Sequence, residues 1–302
     1  GFALALVIEA CIAHQRQERS ANGIGKSRHP DPIHVSAHFL RTTAANAKFE
    51  VRVQTIKVGR GFTNVVGELM QKGLNTITAH IIFGVLSNTA EPGVPALTLA
   101  PPSPYARRIP LNVHPSRATP TVMTRPWNFK HHVGMAEDAS IAARNTRTGD
   151  ESDKEDERTS GMEWGAWFEL TGKGERITPA SLAFFGDIFK SLPELIPKEE
   201  RKGLGISWFP TMTMAIEFKA PIPTASSGKY SSRTVGLYHN GKFLHDPQGR
   251  HDAYVEVWTA PSEIGCGGEE EGWKGEQRCL AVATQMGLTV PVEVNLRRAS
   301  KL

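Results

Sequence analysis

Three polar side chains stand where the surrounding pattern is apolar: Asp187 in "SLAFFGDIFKSL", Thr211 at the head of "TMTMAIEFKA", and Gln285 in "LAVATQMGLTV". Asp187 is flanked by Phe184, Phe185, Ile188 and Phe189, and a carboxylate in such surroundings needs hydrogen-bond partners or a chemical job. A carboxylate, a hydroxyl and an amide together can take up a proton and orient a small polar reactant. Each also has a plainer reading. An acid in a helix usually lies on its wet face, a threonine opening a strand is a good β-former, and alternation can turn a strand glutamine to solvent. Thr213, two residues on, is a competing hydroxyl.

An internal repeat gives the three positions weight. "SAHFLRT" (36–42) aligns with "AIEFKAP" (215–221), "ITAHIIFG" (77–84) with "LAVATQMG" (280–287), and "GFALALVIE" (1–9) with "PASLAFFGD" (179–187). In this alignment Thr211 corresponds to Pro32, Gln285 to Ile82, and Asp187 to the acidic Glu9. Only the second copy has carboxylate, hydroxyl and amide together.

The elements that must position them follow from periodicity. A nearly all-apolar helix is expected at 2–14 and another at 178–192, the latter capped by Thr178, opened by Pro179 and stopped by Pro193. Strands are expected at 33–41, 48–59, 62–71 and 76–86, then at 127–135, 163–170, 211–220, 232–240, 253–260 and 280–290. A helix apolar on nearly every side needs a sheet wrapped round it. The expected fold is α+β, a double hot-dog, with the first copy lacking its opening strand. The domains are 1–90, a proline-rich linker 91–126, and 127–296 with a charged mobile insertion at 137–160 and a loop at 261–278. A tail at 297–302 follows.

Composition narrows the function classes. The 302 residues are 39% hydrophobic and 22% charged with a formal charge of +4, and no basic block suggests nucleic acid. Cys11, Cys266 and Cys279 lack metal-ligand spacing, and the histidines, His131 and His132 included, read as surface or strand residues. No metal or cofactor is expected. The opening apolar run is broken by Glu9 and is too short to span a bilayer, and without an initiating Met the chain is expected to start inside a longer protein.

At this point "HPDPIHVSAHFLR", "IKVGRGFTNVVGELMQKG", "SLAFFGD", "PTMTMAIEFKAP" and "LAVATQMGL" resemble the acyl-CoA thioesterases with two fused hot-dog domains, of the bacterial thioesterase II and peroxisomal type. The long insertions look closer to fungal relatives. The resemblance implies hydrolysis of fatty acyl-CoA to free fatty acid and CoA, with Asp187, Thr211 and Gln285 positioning the hydrolytic water. The family often continues with Asp-His after the catalytic hydroxyl, where this chain has Met212, Thr213 and Met214. A backbone N–H near the start of the second helix or close to Gly186 is a candidate oxyanion donor, and Lys57 and Arg60 on a glycine-flanked turn are candidates for the CoA phosphates. No GxSxG elbow is present. The competing readings are a non-catalytic acyl-CoA-binding protein and an enoyl-CoA hydratase, the latter disfavoured because no histidine follows Asp187 before Pro193. Pairing of two copies through their sheets is left open.

The final tripeptide, Ser300-Lys301-Leu302, is a peroxisomal address read by an import receptor. The expected location is the peroxisomal matrix, where fatty acyl-CoAs are shortened.

Overall fold

Strict alternation along "IHVSAHF" buries Val35 and Ala37 while Ser36 and His38 turn to the other face, the period of a half-buried strand. A computed structural model describes residues 1–21, 29–87, 98–123, 129–146, 161–201, 203–224 and 228–293. The predicted tail (Ser300, Lys301, Leu302) and positions 147–160 of the predicted insertion lie outside the described residues.

In the first half, helix α1 (Phe2–Ala21) is followed by β1 (Asp31–Phe39), β2 (Glu50–Val58), β3 (Thr63–Gln71) and β4 (Leu74–Gly84). Lys72 and Gly73, both at positive φ (50° and 75°), make the turn between β3 and β4, the mirror-image geometry that matches strand twist. The antiparallel order is β2-β3-β4-β1. Leu4, Val7, Ile8, Cys11 and Ile12 of α1 are buried against this sheet. The helix lies so close to β3 that a Cβ at Gly67 would come within 2.6 Å of Val7 Cγ1 and 2.7 Å of Cys11 Sγ.

The second half begins with β5 (Val133–Glu137), a short helix α2 (Ala139–Ala142) and β6 (Met162–Leu170). Two helical turns, α3 (Ser181–Phe185) and α4 (Leu192–Leu195), follow. Next come β7 (Ser207–Trp208), β8 (Thr211–Phe218), β9 (Thr234–Gly241), β10 (Leu244–His245) and β11 (Arg250–Thr259). Helix α5 (Trp273–Glu276), β12 (Cys279–Gly287) and β13 (Val290–Pro291) complete the half. The main strands run β8-β12-β11-β9-β6-β5, β10 pairs with β11, and β7 and β13 form a separate two-stranded ladder.

The halves join by antiparallel pairing of β1 with β8, so one sheet runs through both. Ser36 lies opposite Ala215, the residue the repeat makes its equivalent, while His34 faces Glu217 and His38 faces Thr213, the same equivalents exchanged. The seam is thus a pseudo-two-fold axis inside one chain, with self-complementary pairing like that of a symmetric dimer. Each half is a helix-bearing concave sheet, and the fold is the double hot-dog read from the sequence.

Two expectations need correction. The second helix is not continuous over 178–192. Thr178 Oγ does accept from Ser181 N at 3.1 Å, but regular helix ends at Phe185, Gly186 N reaches Leu182 O, and Asp187 N and Ile188 N fall back to carbonyls three residues behind. Gly186 is a weak helix former, and Pro193 serves instead at the start of α4, whose Ser191 and Glu194 form a reciprocal capping box. The proline-rich stretch is not a free linker where described. Ile109 and Leu111 are buried with Trp167, Trp258 and Trp273 on the outer face of the second sheet, and Trp167 Nε1 donates to Val113 O at 2.8 Å. The glycine- and glutamate-rich loop 261–278 is anchored there too, by α5 and its buried Trp273.

Candidate functional site

Asp187, Thr211 and Gln285 arrive from three elements and meet. The turn after α3 carries Asp187, the first residue of β8 is Thr211, and Gln285 sits two residues before the end of β12. Thr211 Oγ1 lies 2.9 Å from Asp187 Oδ1 and 3.1 Å from Gln285 Oε1. Gln285 is 8% exposed and faces the helices, not solvent. Its Nε2 donates to Gly186 O at 2.6 Å, which turns Oε1 towards the threonine. Asp187 is partly buried, and its Oδ2 accepts from the Gly1 amino group. The start of α1 therefore stands against the end of α3.

A β-bulge selects which threonine takes part. β8 and β12 pair Gln285 with Met214 and Met286 with Thr213, but Gly287 with Thr211, leaving Met212 as an extra residue on β8. Without it, Thr211 and Thr213 would share a face. With it, Thr211 joins the buried Met214 on the concave side, and Thr213 stays on the convex side across from His38. Bulges re-aim side chains in this way.

Other candidates fare differently. Gly186 belongs to the site through its carbonyl, because its N–H is spent on Leu182 O at 2.8 Å, so it is no free oxyanion donor. A Cβ at Gly186 would stand 3.0 Å from Met214 Cε and 3.2 Å from Ala283 Cβ; the bare glycine lets the turn sit down on β8 and β12. Lys57 and Arg60 are exposed and are not brought to the three residues. Gly1 marks the Asp187 end of α1, whereas His14 bonds Thr55 on β2 at 3.0 Å, and thirteen helical residues span about 20 Å. Glu9, the acidic counterpart of Asp187, is exposed on α1. Several histidines taken for surface or strand residues are buried: His29, His114, His239 and His251. Among the described residues, no cluster of His, Cys, Asp and Glu could hold a metal ion, and no helix is long and apolar enough to cross a membrane.

Chemically, the site has more acceptors than donors. The Thr211 hydroxyl has one hydrogen, yet the Asp187 and Gln285 oxygens both lie within hydrogen-bond distance of it. The acceptor left over is a place for a proton-bearing molecule as small as water.

Comparison with known proteins gives the arrangement a context. Residues 1–84 match the family model of the acyl-CoA thioesterase N-terminal domain. No curated protein matches the sequence. Among solved structures, a protein assigned as a thioesterase II from Thermobifida fusca YX superposes with a TM-score of 0.58 at 18% identity, covering 96% of this chain and 85% of that one. A hot-dog-fold protein from Alicyclobacillus acidocaldarius gives 0.57 at 15% identity, covering 96% and 86%. The acyl-CoA thioesterase II TesB2 of Mycobacterium marinum gives 0.54 at 14% identity, covering 93% and 88%. At such identities the likeness is one of fold. The chain has the double hot-dog fold seen in thioesterase II structures, and its residues 1–84 are similar to the acyl-CoA thioesterase N-terminal domain.

Proposed function

We propose that this protein is an acyl-CoA thioesterase, hydrolysing a fatty acyl-CoA to free fatty acid and CoA at Asp187, Thr211 and Gln285. The observation that carries this reading is the convergence of the two acceptor oxygens on the single Thr211 hydroxyl. In the reaction, water donates to Asp187 and its oxygen lone pair attacks the thioester carbonyl carbon. The carboxylate takes the proton, the carbon–sulfur bond then breaks, and the departing thiolate recovers that proton as CoA–SH. Thr211 and Gln285 hold the geometry that makes the attack effectively unimolecular.

The test is release of free thiol from acyl-CoAs of graded chain length, followed with a thiol reagent, for the parent chain and for Asp187→Asn. Turnover by the parent and its loss in the variant support hydrolysis. Binding of acyl-CoA with no thiol release would make the protein a carrier instead.

The C-terminal Ser300-Lys301-Leu302 supports a peroxisomal site of action through an import receptor. Removing these residues is expected to leave turnover unchanged and abolish import of a fluorescent fusion; a fusion still imported without them would refute the address.

A further inference from the structure

We infer that His251 is a fourth member of this site, a water-holding acceptor that works beside Asp187. The inference rests on the hydrolase reading above and on four observations independent of the resemblance.

First, register places it in the same row. His251 on β11 pairs with Gly287 on β12, and Gly287 pairs with Thr211 on β8. Gln285 is two residues before Gly287 and faces the same side. Secondly, Gly287 leaves room for the imidazole to lie across β12. A Cβ there would meet His251 Nε2 at 2.8 Å, Cε1 at 3.1 Å and Cδ2 at 3.5 Å. A ring lying over β12 is one strand spacing, about 5 Å, from β8 where Thr211 begins.

Thirdly, one ring nitrogen is already committed. Nδ1 lies 2.8 Å from Gly249 O, and a carbonyl can only accept, so Nδ1 carries the proton. Nε2 of the neutral ring is then an acceptor, in a side chain only 4% exposed. Burial favours this neutral form, against the Gly249 hydrogen bond and the charges of Asp252 and Glu194. Asp252 of β11 and Glu194 of α4 are the charged groups that act on it, and His239 of β9 is its titratable neighbour. The adjoining β12 positions, Met286 and Gly287, have none.

Fourthly, the first half shows the same packing without the polarity. Gly84, the repeat equivalent of Gly287, would place a Cβ 3.1 Å from Ile33 Cδ1 and 3.2 Å from Phe62 Cδ1, the Phe62 ring being half exposed where His251 is buried. A ring over this glycine is therefore the fold's own device. Only the second half makes that ring an imidazole, just as only the second half has the carboxylate, hydroxyl and amide.

The hydrogen-bond count then closes. Asp187 Oδ1, Gln285 Oε1 and His251 Nε2 are three acceptors; the Thr211 hydroxyl and one water supply three hydrogens. With both of its hydrogens taken, the water keeps a lone pair directed at the carbonyl carbon.

The experiment compares His251→Phe and His251→Gln with the parent and with Asp187→Asn, by thiol release. His251→Phe keeps a ring over Gly287 and gives up the bond to Gly249 O, so its thermal midpoint is measured beside its kcat to show that it folds. Its kcat is expected to fall on the order of tenfold to a hundredfold with KM unchanged, as for a misplaced reactant. His251→Gln, whose carboxamide oxygen also accepts, is expected to recover most of that loss. Imidazole 15N shifts of the full chain are expected to show the His251 proton on Nδ1. Parent-like kcat in His251→Phe, or equal loss in both His251 variants, overturns the role while leaving the hydrolase reading intact if Asp187→Asn is inactive. Absence of turnover in the parent removes both.

Discussion

In the proposed hydrolysis, Asp187, Thr211 and Gln285 divide the work by what each atom can do. The carboxylate is the proton acceptor of the three, the amide is oriented by its bond to Gly186 O, and the hydroxyl is shared between two oxygens. Thr211→Ser keeps the proton and Thr211→Val removes it at constant shape. The serine variant is expected to stay within about an order of magnitude of the parent in kcat, whereas valine and Asp187→Asn are expected to lose about 10²- to 10⁴-fold. Steady-state thiol release checks both.

His239 makes a different residue-scale prediction. It is wholly buried, stacks on Phe189 at 4.4 Å, and has no hydrogen-bond partner on either ring nitrogen among the described residues. Burial pulls its pKa from 6.5 to about 3, with Asp252 opposing and His251 assisting. The unfolded chain therefore binds a proton in a window where the folded chain does not. Its contribution to stability is complete above 6.5 and declines towards 3 as pH falls, by about 1.4 kcal/mol per pH unit. His239→Phe is expected to flatten that decline in denaturant unfolding measured across the window; an unchanged slope would show that another group titrates there.

At the scale of elements, the bulge at Met212 matters as much as the residues it serves. Thr213→Val is expected to leave turnover within about twofold of the parent, because a convex-face hydroxyl has no geometric access to the reacting atoms. A loss equal to that of Thr211→Val would mean the register slips in solution. The turn after α3 is equally constrained: a methyl at Gly186 meets Met214, Ala283 and Leu182 O at once. Gly186→Ala is expected to destabilise the fold by about 1–3 kcal/mol, the usual cost of overpacking, and to lower kcat by displacing Asp187. Most strand positions were legible from alternation to within a few residues, since the sheet has a buried concave face; the strand expected at 127–135 was not, because residues 129–132 form a turn and β5 runs Val133–Glu137. The bulge was not legible, because it depends on how β8 pairs with β12.

For the molecule as a whole, the β1–β8 seam is what makes two copies one protein. Residues 98–302 expressed alone would leave β8 as an uncovered edge beside the site and remove α1 from α3. Such a fragment is expected to self-associate through that edge and to lack activity; a monomeric, active fragment by size-exclusion chromatography would show that the first half is dispensable. The first half has no equivalent of the Asp187–Thr211–Gln285 set, yet it supplies the partner strand for β8 and the helix start that meets Asp187. One copy positions while the other has the candidate chemistry.

Sequence alone determined the repeat, the helix-and-sheet character of each half, and the three polar positions where the copies differ, because buried faces impose their periodicity on local residue choice. Tertiary structure decided which threonine enters the site, that Gly186 offers a carbonyl and not an N–H, that Lys57 and Arg60 stand apart, and that His251 lies over Gly287 in the register row that Thr211 opens. These depend on strand register, on a one-residue bulge and on a glycine left bare beneath a ring, contacts between residues far apart in the chain that no local pattern records.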